Sequence, residues 1–128
     1  MKFFKIATDI FTNNGIVKTA GGDCYSENGR RFMDMSILNG NDDIRLVHGE
    51  VVGQGPIEGV HYGHCWIEEG DNVIDYSNSR EVRMPKHLYY TLGNIGDNVW
   101  TYDKQAFRKK VMEHEHWGPW DLITSSGM

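Results

Sequence analysis

The sequence predicts an α+β domain: a small antiparallel β-sheet with a helix, opening at Cys24, packed against it. Three observations predict it. Behind Asp23, a capping-type residue, Tyr25, Phe32, Met33, Ser36 and Ile37 lie along one broad helical face. Three short apolar runs follow, Ile44–Val52, Val60–Glu68 and Val73–Tyr76, separated by turn residues. The last two are joined only by Glu69-Gly70-Asp71-Asn72, a turn short enough to make them antiparallel neighbours.

The remaining elements follow in order. Phe3, Ile6, Ala7, Ile10 and Phe11 predict a short helix over 3–11, and turn residues predict a loop over 12–22. The helix from Cys24 to Leu38 carries Gly29, which costs about 1 kcal/mol relative to Ala and favours close packing there. Asn39-Gly40-Asn41-Asp42-Asp43 ends it. Residues 53–59 form a loop, and polar residues 77–81 are expected to be irregular. A short helix is expected over Pro85–Leu92 with Pro85 near its start, and a last strand over Val99–Tyr102. Asp103 then caps a helix from Lys104 to about His114, with Ala106, Phe107, Val111 and the stem of Lys110 inward. The aromatic tail His116-Trp117-Gly118-Pro119-Trp120 is expected to pack on the domain.

Composition narrows the classes. A chain of 128 residues has room for one hydrophobic core, hence one domain over 1–128. Four Trp, six Tyr and five Phe argue against disorder. The net charge of −5 and the lack of a basic stripe make nucleic acid an unexpected partner, since Arg108-Lys109-Lys110 is too short a run. No segment approaches a membrane span. Asp9, Asn13 and Asn14 interrupt any secretory apolar region, so a cytoplasmic chain with free thiols at Cys24 and Cys65 is expected.

The candidate chemistry lies in a thiol, an imidazole and a carboxylate. Cys24 opens a helix, where the helix dipole favours a thiolate and the Cys24 N–H can hold an oxyanion. A buried, inert cysteine is the plainer reading of that residue alone. His64 and Trp66 share one strand face. With Glu68 opposite Val73, Asp75 is the diagonal neighbour of His64; with Glu68 opposite Asp71, it sits directly opposite. Either register joins the pair, and a one-residue slip parts it. Asp75 would then fix the imidazole tautomer, and Trp66 would support the ring.

Other uses of these residues fit less well. Zinc needs three or four converging ligands, but His61 and His64 point to opposite faces, as do His64 and Cys65, and His114 and His116 converge poorly. No metal site is expected. Loop 53–59 lacks the Lys-Ser/Thr of a phosphate loop; it reads as a lip beside the site, with Gln54 a candidate oxyanion donor. Tyr25, Tyr62 and Trp66 are the other candidate substrate contacts. His48 and His61 read as structural or rim residues, His61 with Tyr62 as a possible groove lining.

Taken together, Arg45-Leu46-Val47-His48-Gly49, His64-Cys65-Trp66-Ile67-Glu68 and Val73-Ile74-Asp75, behind a helix-opening Cys24, resemble the transglutaminase-like branch of the papain-like cysteine hydrolases. The resemblance spans about residues 20–78. It implies a papain-like core with Cys24 as nucleophile, His64 as general base and Asp75 as its orienter. It implies acyl transfer at a peptide or protein amide through a thioester, as peptidase, deamidase or transglutaminase, with no cofactor. The chain departs from the pattern in having Tyr25, not Trp, beside the cysteine and a short interval from His64 to Asp75. The alternative is a small binding or regulatory protein on the same fold with the triad unused.

Overall fold

The computed structural model describes residues 23–39, 43–53, 57–77 and 80–125. The helix expected over 3–11, the loop over 12–22, residues 40–42 and Gln54 lie outside the described residues, as do the side chains of Asp23, Ser36 and Ile37. The described elements are α1 (Asp23–Asn39), β1 (Ile44–Val52), β2 (His61–Glu69), β3 (Asn72–Ser77), β4 (Arg80–Pro85), α2 (Lys86–Leu92), β5 (Val99–Tyr102) and α3 (Lys104–His114). The five strands make one antiparallel sheet in the order β4-β3-β2-β1-β5. The α+β architecture expected from the sequence is therefore present.

Both faces of the sheet are covered. On one, the α1 stripe of Cys24, Tyr25 and Phe32 packs on Ile44 and Leu46 of β1, Cys65 and Ile67 of β2 and Ile74 of β3, with Phe107 of α3. On the other, Val47, Val51, Tyr62, Trp66, Val73, Val82 and Met84 pack against Tyr89 of α2. This two-sided covering buries β1 and β2 almost continuously along their length rather than at alternate residues. Gly49 of β1 gives its place to a neighbour: a Cβ there would stand 2.5 Å from the Trp66 ring. Gly29 serves the same end, since a Cβ would meet the Trp117 ring at 2.6 Å. The aromatic tail thus packs on α1 as expected. Gly70, at φ +58°, opens the β2–β3 turn.

Two expectations are corrected. Of the span 77–81, Ser77 ends β3 and residues 80 and 81 are not irregular: Arg80–Pro85 is an edge strand on β3, with Val82 and Met84 buried and Arg80, Glu81 and Arg83 exposed. Its two apolar residues among charges make a period of two too short to stand out. As expected, Pro85 stands at the start of α2, in the N-cap position. Ala106 is exposed, and Phe107 alone of that turn is fully buried. The Asp103 cap forms as expected, its carboxylate accepting from the Ala106 N–H at 2.8 Å. Among the described residues no helix is long and apolar enough to cross a membrane.

His48 is not a rim residue. It is buried on the α1 face among Tyr25, Tyr102 and Trp120, with ring centroids 5.0 to 5.2 Å away. Among the described residues, neither of its ring nitrogens, nor the Trp120 indole N–H, finds a hydrogen-bond partner. Burial lowers its pKa from 6.5 to about 3, against a smaller opposing pull from Asp121. The folded state therefore holds a neutral ring where the unfolded chain takes a proton near 6.5, so this residue removes stability as pH falls below that value. Replacing it by an apolar ring of similar volume removes both orphaned nitrogens. His48→Phe is expected to raise stability by about 1–2 kcal/mol in urea unfolding at pH 5, with a smaller gain at pH 8. A loss at both values would contradict this.

Candidate active site

Cys24 stands in the first turn of α1, His64 in the middle of β2 and Asp75 in β3. All three are fully buried. The β2–β3 hairpin closes on Glu69 opposite Asn72, with Glu68 opposite Val73 and Ile67 opposite Ile74. Of the two registers compatible with the sequence, this is the one that makes Asp75 the diagonal neighbour of His64. His64 Nε2 and Asp75 Oδ2 lie 2.8 Å apart. The Cys24 side chain lies near enough to the His64 ring to raise its pKa, by its charge and by hydrogen bonding. Thiol, imidazole and carboxylate are thus joined in series.

The carboxylate is saturated. Its Oδ2 accepts from His64 and from the Tyr89 hydroxyl at 2.6 Å; its Oδ1 accepts from Asn28 Nδ2 at 3.1 Å and Ser77 Oγ at 3.2 Å. An ionised carboxylate offers about four such positions, and all are filled. Burial by itself would raise the Asp75 pKa, but the charged His64 and the donors from His64, Tyr89 and Asn28 reverse this and hold it below the usual range. For His64, burial opposes protonation, yet the charges of Asp75 and Cys24 and the hydrogen bonds to both push its pKa up to about 10. The favoured state is an imidazolium–carboxylate pair in a dry setting. By contrast, burial and the charges of Cys24 and Asp75 push the Cys65 thiol well up, which keeps it protonated and unreactive.

Trp66 supports this pair. Its ring stacks beside His64 at 28° and 6.1 Å between centroids. Its N–H donates to Glu68 Oε2 at 3.0 Å, and Glu68 also accepts from Tyr90 and pairs with Lys86. The alternating residues His64, Trp66 and Glu68 therefore form one row on the sheet face covered by α2. Of the residues expected to meet substrate, Trp66 is fully buried, and Tyr25 and Tyr62 are buried, each under electrostatic influence from Cys24. His61 does not join the row; it points to the other face and pairs with Glu50 at 2.6 Å. Among the described residues, no three His, Cys, Asp or Glu side chains converge as metal ligands.

Asn28 and Tyr89 complete the site and were not expected from the sequence. For Asn28 the signal was present: it stands one helical turn after Cys24, on the same face, as a polar residue inside an apolar stripe. Nothing local marked Tyr89, which reaches Asp75 only because α2 folds back over the sheet.

The ion pair sets a test. Because the folded His64 pKa lies above 6.5, its contribution is complete below pH 6.5 and is lost as pH rises toward 10. Asp75→Asn is expected to cost about 3–5 kcal/mol at pH 6, the cost of stripping one partner from a buried pair, and to flatten the alkaline loss. Melting curves between pH 6 and 10 read both effects; an unchanged alkaline slope would contradict the pairing. Comparisons with protein-family models, curated proteins and solved structures give no match, so function is read from this geometry alone.

Proposed function

We propose that the chain is a cysteine-dependent amide hydrolase or acyltransferase with a papain-like core of the transglutaminase-like kind. The observation that carries this is the series of contacts from Cys24 to His64 to Asp75, in which a thiol at a helix start is backed by a base and the base by a carboxylate. In this reading the Cys24 thiolate attacks an amide carbonyl carbon. The resulting oxyanion is held by the Cys24 N–H and one further donor. His64 gives its proton to the leaving amine, leaving a thioester on Cys24. Water or a second amine then attacks the thioester carbonyl carbon while His64 takes its proton; the C–S bond breaks, the Cys24 thiolate leaves, and the product is an acid or a cross-link. Asp75 holds the ring in place throughout. Free thiols at Cys24 and Cys65 suit a reducing compartment such as the cytoplasm.

One observation favours the second reading, a binding protein with the triad unused. Cys24, His64 and Asp75 each have no exposed surface, so a substrate must uncover the thiol before reacting with it.

Iodoacetamide labelling, with Cys24 and Cys65 followed separately by mass spectrometry between pH 5 and 9, separates the two. The enzyme reading predicts that Cys24 labels well below pH 8, that Cys65 lags, and that His64→Ala slows Cys24 by about 10-fold or more. Slow labelling of Cys24 with no response to His64 would favour the binding protein.

A further inference from the structure

The triad poses a geometric problem. Cys24 lies with α1 on one face of the sheet, among Leu46, Cys65, Ile67 and Ile74. His64 and Asp75 belong to the other face, against Trp66 and Tyr89 of α2. A continuous sheet would stand between the thiol and its base.

The sheet is not continuous there. Pairing between β2 and β3 stops at Ile67 opposite Ile74, although β2 runs back to His61 beside β1 and β3 runs on to Ser77 beside β4. Extending the register places Cys65 opposite Tyr76. Counting from the closing pair Glu69–Asn72, alternate pairs exchange backbone hydrogen bonds, and Cys65–Tyr76 would be one of them. The Asn28 carboxamide occupies that place instead. Its Oδ1 accepts from the Tyr76 N–H at 2.8 Å, and its Nδ2 lies 3.0 Å from the carbonyl oxygens of both Cys65 and Tyr76. The side chain stands in for a peptide group wedged into the ladder.

The same Nδ2 reaches Cys24 O at 3.0 Å and Asp75 Oδ1 at 3.1 Å. Two N–H bonds are thus shared among four acceptors. Asn28 is completely buried, where leaving these groups unpaired would be costly.

We infer that Asn28 is the positioning residue of this site: its carboxamide prises β2 from β3, and through the slot so made the Cys24 sulfur on one sheet face meets His64 and Asp75 on the other. The inference rests on the reading of Cys24, His64 and Asp75 as a working triad. Asn28 touches no reacting atom. It acts by fixing the Cys24 backbone and one oxygen of Asp75 relative to the two parted strands. A residue of any other shape either leaves the slot without a filling, so that the ladder closes, or fills it without the required donors and acceptor.

The test is the pH profile of Cys24 alkylation by iodoacetamide in the full chain, for wild type, His64→Ala, Asn28→Ala and Asn28→Asp. Amide hydrogen exchange at Tyr76 is followed in parallel. Asn28→Asp is isosteric and keeps an acceptor for the Tyr76 N–H while losing both donors, so it serves if Asn28→Ala does not fold. The expected result is a Cys24 rate near neutral pH lower by about 10–100-fold in a folded Asn28 variant, with the profile moved toward that of His64→Ala. Labelling of wild type that depends on His64 but is matched by a folded Asn28 variant overturns the positioning role and leaves the triad standing. Wild-type labelling indifferent to His64 overturns the triad, and the positioning role with it.

Discussion

A buried, ionised carboxylate with every lone-pair position filled holds the centre of this molecule together. Asp75 draws one donor from each element around it: Asn28 from α1, His64 from β2, Ser77 from its own strand and Tyr89 from α2. A charge without exposed surface is tolerable only under such saturation. Satisfying it ties α1, through Asn28, and α2, through Tyr89, to β2 and β3. The His64 imidazolium is the other half of the same balance, and Trp66 and Glu68 extend it along β2.

Two layers of packing keep the arrangement dry. On the α2 face the Trp66 indole lies across Gly49, a position no side chain could share. On the α1 face the tail residues Trp117 and Trp120 pack against Phe107, and Gly29 admits Trp117 to the helix. Low polarity strengthens the attraction among Cys24, His64 and Asp75, and it also seals them. On the acyl-transfer reading proposed above, the same burial demands an opening step before a substrate can reach Cys24. His48 is the counter-example within the same fold: an imidazole equally buried, but given aromatic rings in place of a carboxylate, and so kept neutral. Burial favours the neutral ring in both histidines; in His64 the neighbouring carboxylate and thiol override it.

Much of this was legible in the chain. The helix at Cys24, strands β1, β2, β3 and β5 and the Asp103 cap were each marked by periodicity or by a strong local signal. The pairing of His64 with Asp75 followed from hairpin register, because a turn of fixed length allows few alternatives. What stayed hidden was long-range. Arg80–Pro85 carries too few apolar residues to declare itself as an edge strand. Ala106 looked inward by type, but it precedes the buried Phe107 and falls on the solvent side. Tyr89 reaches Asp75 only through the path of α2. The place of Asn28 depends on an interrupted ladder, and nothing in β2 or β3 taken singly announces the gap.

The charge state of the His64 ring tests the central claim most directly. Nitrogen-15 NMR of the imidazole, followed from pH 5 to 10, distinguishes a doubly protonated ring from either neutral tautomer. A Cys24–His64–Asp75 unit as described predicts that His64 stays protonated on both nitrogens past pH 8, with the Nε2 proton held toward Asp75. A ring that titrates near 6.5, or is neutral throughout, would mean that the carboxylate does not govern it, and the account of this site would fail.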